Sequence, residues 1–340
     1  MKTIFQRYHQ LIKIILSSVV VLLIGIVSFI VIVLSTDIHC KDTSKVITIP
    51  NGATAYSVSK LLETESCLVF PSIFVTAVKL TFNERNIKAG RYTLKGIRTI
   101  GELVRMITSP TAKRIRVTIL EGWTIEDIAD ELSFKLNIDT YHFTQLCKDY
   151  NFMHSLGINA PSLEGFLFPD TYILLSSYTE EDIIELLVNQ FNYNYKNQIE
   201  KLAKQIHLNK LEVSTLASII QGEAIYDYEM SKISSVYHNR LKKNMPLQAD
   251  PTIQYITPGK NRRLYHKDLK TNSPYNTYKH KGLPPGPINN SGISALLAAV
   301  NPDTTPYLYF VADGNGRHIF SKTNAEHNQA KYNVKKNRRK

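Results

Sequence analysis

Cysteine and tryptophan are scarce: Cys40, Cys67 and Cys147, and one tryptophan, stand among 340 residues. So low and odd a cysteine count excludes a fold held together by disulfides. Cys40 and Cys67 flank a short strand–helix segment and would pair in an oxidising compartment; otherwise all three are inert thiols. Metal-binding spacing is missing too. His238, His266, His280, His318 and His327 are scattered, with no H-E-x-x-H pattern, so neither a metal nor a cofactor is expected. Ser218 lies outside any G-x-S-x-G elbow, which argues against a serine hydrolase. No glycine-rich phosphate cradle is present. Acidic residues are outnumbered, 29 against 41 lysines and arginines, for a net charge of +12. A basic chain suits nucleic acid, anionic lipid or an acidic polymer, and location decides among them.

Location is written at the N-terminus. From Ile14 to Ser35, 22 residues carry no charge. As a helix they span about 33 Å, against about 30 Å of bilayer hydrocarbon. Lys2, Arg7 and Lys13 precede the run and Asp37 follows it, which places the N-terminus in the cytoplasm and the rest outside. A cleaved signal peptide is the alternative, but the run is long for one and no A-x-A site follows. The residues before Cys40 do not form a lipobox. An exported body makes nucleic acid an unsuitable partner.

Beyond the anchor, Val46–Pro50 reads as a strand, Asn51-Gly52 as a turn and Thr54–Glu63 as a helix. The pattern recurs 70 residues later: Thr48 matches Thr118, Gly52 matches Gly122, Thr54 matches Thr124 and Val58 matches Ile128. Thr124 followed by Asp127 is a helix-capping signal. Two such copies outline small α+β modules of LysM-like, wall-binding type, or equally plain spacers. Ile87–Leu94 reads as a strand; Thr99–Ile107, Asp139–Tyr150 and Thr179–Ile206 read as helices. Gly, Pro, Asn and Tyr become dense between residues 245 and 316, as in a loop-built cleft. The division expected is 1–13 cytoplasmic, 14–36 transmembrane, 37–154 membrane-proximal, 155–330 catalytic, and 331–340 a solvated basic tail. The fold class expected is α+β.

The chemistry concentrates after residue 210. In LEVSTLASIIQGEA (211–224), Val213, Leu216, Ala217, Ile220 and Ala224 form one apolar helix face. Glu223 falls at its margin, where lost hydration raises a carboxyl pKa, as a general acid requires. Periodicity alone also fits a glutamate at a solvent edge. In MPLQADPTIQY (245–255), Pro246 and Pro251 forbid a continuous helix, so Gln248 and Asp250 are expected on a loop. SPYNTY (273–278) offers Tyr275, Asn276 and Tyr278, and GLPPGP (282–287) is a stiff turn. Amide and phenol groups on rigid loops suit a sugar.

Five blocks carry a closer likeness: LEGFLFPDTY (163–172), LASIIQGEA (216–224), SSVYHNRLKKNMPLQADPTIQY (234–255), SPYNTYKHKGLPPGPI (273–288) and NPDTTPYLYFVADGNGRHIF (301–320). In this order they resemble the endolytic murein transglycosylase family, MltG-type or YceG-like, from about residue 45 to 330. The resemblance implies a lyase that cuts the β-1,4 bond between N-acetylmuramic acid and N-acetylglucosamine inside a strand, leaving a 1,6-anhydro end. It implies Glu223 as the catalytic acid–base. Gln248, Asp250, Tyr275, Asn276 and Tyr278 are the substrate-binding candidates. Where the family has Glu-Lys-Glu this chain has Gln221-Gly222-Glu223, and Gln221 is given no acid–base role. Glycan strands and membrane lipid are the implied partners, with peptidoglycan synthases implied by the family alone. The rivals are an inactive wall-binding or division scaffold, a muramidase that adds water, and a nucleic-acid-binding protein resting on charge alone.

Overall fold

The computed structural model describes residues 2–38, 46–65, 67, 70–94, 97–108, 114–176, 178–259 and 262–337. They form two compact units, Met1–Arg114 with Leu175–Thr179, and Ile115–Leu174 with Glu180–Lys340.

The first unit begins with α1 (Lys2–Leu34). Its segment Leu16–Leu34 is the one helix among the described residues long and apolar enough to cross a membrane. Val21, Ile24 and Ile32 there are each at least 60% exposed, so no protein core covers them. Val33, by contrast, is buried with the core of the unit. That core lies in a strand–helix–helix–strand arrangement: β1 (Val46–Ile49), α2 (Ala55–Thr64), α3 (Pro71–Leu80) and β2 (Gly90–Thr93), followed by α4 (Ile100–Thr108). β1 and β2 pair antiparallel, Ile47 opposite Tyr92. Strand alternation buries Ile47 and Ile49 while Thr48 faces out. They pack with Val58, Leu62, Phe74 and Val78 from the two helices. Cys67 is buried and disulfide-bonded; Cys40, its expected partner, lies outside the described residues.

The second unit opens with the other copy of the repeat. β3 (Arg114–Thr118) leads through a turn to α5 (Ile125–Leu136). Thr54 and Thr124 both accept from the backbone of the third helical residue, Ser57 and Asp127, whose side chains accept from the cap backbone in return. Gly52 and Gly122 both take positive φ, +74° and +81°, which a side chain would oppose. Here three helices, α5, α6 (Thr140–Leu146) and α7 (Tyr150–Ser155), precede β4 (Thr171–Leu175), which pairs with β3. This pairing ties residues 115–118 to the second unit, so the compact units separate near residue 114, whereas the sequence texture changes near 155. Cys147 in this unit is a free, buried thiol, and burial pushes its pKa well up.

α8 (Glu180–Asn194) continues through a π-helical turn at Tyr195–Ile199 into α9 (Glu200–Gln205). α10 (Lys210–Glu223) is the central helix, packed against α11 (Asp227–Lys242), α12 (Asp250–Ile256) and α13 (Ile293–Val300). Every residue from Val213 to Ile220 is buried, so this helix is enclosed all round rather than along one apolar stripe. The hairpin β5 (Tyr309–Ala312) and β6 (His318–Ser321) and helix α14 (Asn324–Asn337) complete the unit. Residues 331–337 of the expected basic tail continue α14, which buries Val334 and leaves Lys331, Lys335 and Lys336 exposed.

One expectation needs correction. The sequence, with Pro251 excluding a helix, places Asp250 on a loop, but α12 starts at Asp250 with Pro251 in its first turn. Proline lacks an N–H that the first turn would leave unpaired, so it starts helices as readily as it breaks them. Gly222 makes this junction possible. A Cβ there would sit 2.7 Å from Pro251 Cβ. Gly222→Ala is therefore expected to cost about 1–3 kcal/mol through overpacking. It should also displace Asp250 and lower activity, checked by urea melts beside turnover. An unchanged midpoint would mean that α12 moves aside freely.

Candidate active site

Helix α10 ends at Glu223 because Ala224 leaves with extended angles (φ −80°, ψ 133°). The carboxyl thus projects from the open C-terminal end of a buried helix, where the helix dipole disfavours negative charge. It lines a cleft of about 870 Å³ together with Tyr237, Gln248, Asp250, Tyr278 and His318. Tyr237 is 1% exposed and donates its hydroxyl hydrogen to Glu223 Oε1 at 2.8 Å. Glu223 Oε2 has no hydrogen-bond partner among the described residues and is the oxygen left for a substrate.

The Glu223 pKa is raised to about 7. Burial is the main cause, and the nearby Asp250 charge adds to it. The Tyr237 hydrogen bond and the Arg240 charge oppose it. At neutral pH such a carboxyl gives and takes a proton with comparable ease. Tyr237→Phe removes a hydrogen bond that favours the ionised form, so the Glu223 pKa should climb further. The alkaline fall in kcat/KM is then expected at higher pH than in the wild type, with a lower maximum because the carboxyl is no longer oriented. A pH profile checks this, and an unmoved alkaline limb would mean that another group titrates.

The walls are fixed from α11. Arg240, 7% exposed, donates from Nε to Leu308 O (2.7 Å) and from Nη1 to Leu247 O (2.7 Å) and Pro246 O (3.3 Å). One guanidinium therefore clamps both the 245–248 loop and the strand lead-in at 308. Asn239 Nδ2 donates to Thr305 O and Tyr307 O, and His238 Nε2 meets Ala299 O at 2.8 Å. His318 Nδ1 lies 2.9 Å from Glu229 Oε2, which anchors β6. Its ring meets Phe310 edge-on, and Phe310 meets Tyr237 edge-on.

Gln248, Asp250 and Tyr278 share the Glu223 cleft. Gln248 is held in the left-handed region, φ +51°, with its backbone N–H donating to Thr277 O. Such a conformation is costly for a non-glycine residue and tends to persist at functional sites. Tyr278 donates its hydroxyl hydrogen to Asp250 Oδ1. Asn276 and Tyr275 are placed outside the cleft lining. Asn276 is fully buried: Nδ2 donates to Leu269 O and Thr271 O, and Oδ1 accepts from Tyr278 N. It shapes the loop that presents Tyr278. The Tyr275 ring lies against Tyr255 at 5.2 Å.

A family model described as the YceG-like family matches residues 47–333. The chain belongs to the YceG-like family. Among curated proteins it is 36% identical over 312 residues to the endolytic murein transglycosylase of Bacillus subtilis strain 168, covering 86% of this chain and 85% of that one. It is 27% identical over 309 residues to the protein of the same name from Streptococcus pneumoniae D39, covering 82% of this chain but 56% of that one. Among solved structures it resembles a yceG-like protein from Listeria monocytogenes, with a TM-score of 0.60 and 33% identity, covering 84% of this chain and 98% of that one.

Residues of the matched blocks also tie the chain together around α10. Ser218 Oγ accepts from Ile288 N (3.0 Å), and Ser218 O accepts from Asn289 Nδ2 (2.8 Å). Gln221 Oε1 accepts from Gly292 N at 3.0 Å, a tether rather than a proton-transfer group. Glu164 in LEGFLF is buried, and burial is the main cause of a pKa of about 8. Its Oε1 accepts from Asn290 Nδ2 and its Oε2 from Ile125 N. Such a carboxyl, unlike Glu223, is closed off by its partners.

Proposed function

We propose that this protein is a membrane-anchored endolytic lytic transglycosylase that cuts the MurNAc–GlcNAc β-1,4 bond of nascent peptidoglycan strands. Glu223 is the acid–base. The observation that carries this reading is one carboxyl with pKa about 7, fixed through Oε1 by Tyr237 and open through Oε2 to a large cleft. The curated relatives named endolytic murein transglycosylase support it.

The reaction follows from that geometry. Protonated Glu223 gives its proton to the glycosidic oxygen as the C1–O bond breaks. The muramic C6 hydroxyl bonds to C1, and its proton passes to the Glu223 carboxylate. No water is consumed and Glu223 ends protonated again, so a single carboxyl suffices. Holding the C6 hydroxyl next to C1 supplies a high effective molarity. Gln248, Asp250 and Tyr278 bind the sugars beside the reacting bond, with Tyr275 and Asn276 supporting the loop. The anchor α1 confines cutting to strands emerging near the membrane, which ends their elongation. The strand–helix modules act as LysM-like wall contacts, and peptidoglycan synthases are the partners that the family suggests.

A second reading has its own observation. Asp250 is a second carboxyl whose charge reaches Glu223, and glycosidases that add water use two. Digestion of purified strands with mass spectrometry separates the two. Anhydro products, lighter by one water and inert to borohydride, are expected. Hydrated products would make the protein a muramidase with Asp250 activating water. Binding without cleavage would leave a wall-binding scaffold.

A further inference from the structure

The cleft carries more positive charge than its two carboxyls, Glu223 and Asp250, balance. α14 turns one face toward it: His327, Lys331, Val334 and Lys335 all line the cleft, at i, i+4, i+7 and i+8. Arg263 lines it from a loop, and Arg240 lies buried at its wall. Arg240 spends its described hydrogen bonds on backbone carbonyls. Among the described residues, none of Arg240, Arg263, Lys331 and Lys335 forms an ion pair with a carboxylate. The acidic residue of α14, Glu326, is turned to the backbone N–H of Lys322. His327 adds no charge of its own. Burial, Lys331 and Arg240 together hold its pKa near 4, so it is neutral at pH 7. The groups of opposite sign in the cleft are Glu223 and Asp250, and Tyr278 already occupies one oxygen of Asp250.

We infer that this basic end of the cleft, Lys331 and Lys335 of α14 with Arg263, receives the acidic stem peptide borne by the muramoyl sugar, so that strands carrying stems are preferred over denuded ones. The inference rests on the peptidoglycan substrate proposed above. The sugar backbone has no charge to offer, since its acetamido groups are neutral and the lactyl carboxyl is consumed in the amide to the stem. Free carboxylates along the stem are then the anions within reach when a muramoyl unit sits at Glu223. Lysines suit this partner. Each is a mobile point charge that follows a flexible peptide, where a rigid guanidinium fork would demand one geometry. Being exposed, they act through steering and rim attraction, which salt screens.

The test uses the full chain in zwitterionic nanodiscs. It compares stem-bearing strands with the same strands stripped by an amidase, the lactyl carboxylate so freed being capped as its methylamide by carbodiimide coupling, for the wild type and for Lys331→Glu/Lys335→Glu. The wild type is expected to favour stem-bearing strands in kcat/KM by about tenfold at low salt, the effect of a few rim charges acting together. The preference should shrink as salt rises and fall close to unity in the double variant. Circular dichroism confirms that the double variant is folded, and Lys331→Arg/Lys335→Arg should keep the preference. Equal cleavage of both strands by the wild type, or an undiminished preference in the double variant, overturns the inference. Loss of binding to anionic vesicles with the strand preference untouched also overturns it, by assigning the charge to lipid. If the wild type cuts neither strand, the proposed reaction fails. Equilibrium binding of the two strands to the Glu223→Gln protein then still decides the stem question, with equal affinities counting against it.

Discussion

Glu223→Gln is expected to lower kcat/KM on peptidoglycan strands by about 10²–10⁴-fold, the range for removal of a general acid–base. The substitution keeps the shape of the side chain and a group able to accept from Tyr237, so the cleft should stay intact. It removes the transferable proton and the carboxylate that takes the C6 hydroxyl proton. The same variant should also be more stable in one pH window. A glutamate titrates ordinarily near 4.5 and Glu223 titrates at about 7, so the folded state holds this proton more tightly than the unfolded chain. Below pH 4.5 both states are protonated and the carboxyl costs nothing. Between 4.5 and 7 the unfolded chain ionises first and the wild type loses stability; above pH 7 the loss is complete, at most about 3 kcal/mol. The glutamine lacks this penalty. Its advantage in urea melts is therefore expected at pH 8 and absent at pH 4. A variant retaining a tenth or so of wild-type activity would remove Glu223 from the chemistry. An equal stability gain at both pH values would show that ionisation is not its source.

The helix that carries Glu223 is legible in the sequence, and the groups around its carboxyl are not. The helix around it is local information: its apolar spacing and the asparagine cap Asn209, with Glu212 completing a capping box, lie within 15 residues. The two strand–turn–helix copies are local in the same way, each stating its glycine turn and threonine cap within ten residues. What tunes the carboxyl is not local. Tyr237 comes fourteen residues later on a different helix, and in sequence it is one tyrosine among 19. Arg240 reads as a surface charge until its carbonyl partners at 246, 247 and 308 are seen. Pro251 was ambiguous in principle, since proline both ends and begins helices; the approach of Gly222 resolves it. The basic residues of α14 read as a solvated tail because charge density says nothing of which face meets a cleft. Asn276 and Gln248 looked alike as amides on loops. The structure separates them by whether the amide is spent inside the protein, as in Asn276, or presented to the cleft, as in Gln248.

Asn290→Ala should unfold the second unit more readily than any other single loop change named here. Asn290 is fully buried and uses its whole side chain. Oδ1 accepts from Gly165 N and Leu167 N, both at 2.9 Å, and Nδ2 donates to Glu164 Oε1 (2.9 Å) and Trp123 O (3.0 Å). Its backbone repeats the tie to the turn before α5, receiving from Gly122 N and donating to Trp123 O. One amide thus joins the LEGFLF segment, the β3–α5 turn and the stretch after GLPPGP, and neighbouring Asn289 fastens that stretch to α10. Alanine keeps the backbone ties and deletes the rest, leaving two buried N–H groups and one buried carboxyl oxygen without partners. Each such group costs about 1–3 kcal/mol and their effects overlap, so a total loss of about 3–5 kcal/mol is expected. For a unit of this size that corresponds to a Tm lower by roughly 10 °C. Activity at low temperature should fall less than stability, because Glu223 and Tyr237 are held independently through α10 and α11. Asn290→Asp separates hydrogen bonding from packing. It keeps the acceptor for Gly165 and Leu167 but sets a second carboxyl against buried Glu164, whose pKa is already about 8. The aspartate variant should therefore regain stability as pH falls and lose it as pH rises, whereas the alanine variant stays low across the range. Thermal melts between pH 5 and 8 would show this divergence, and parallel curves would mean that Glu164 and residue 290 are not electrostatically linked.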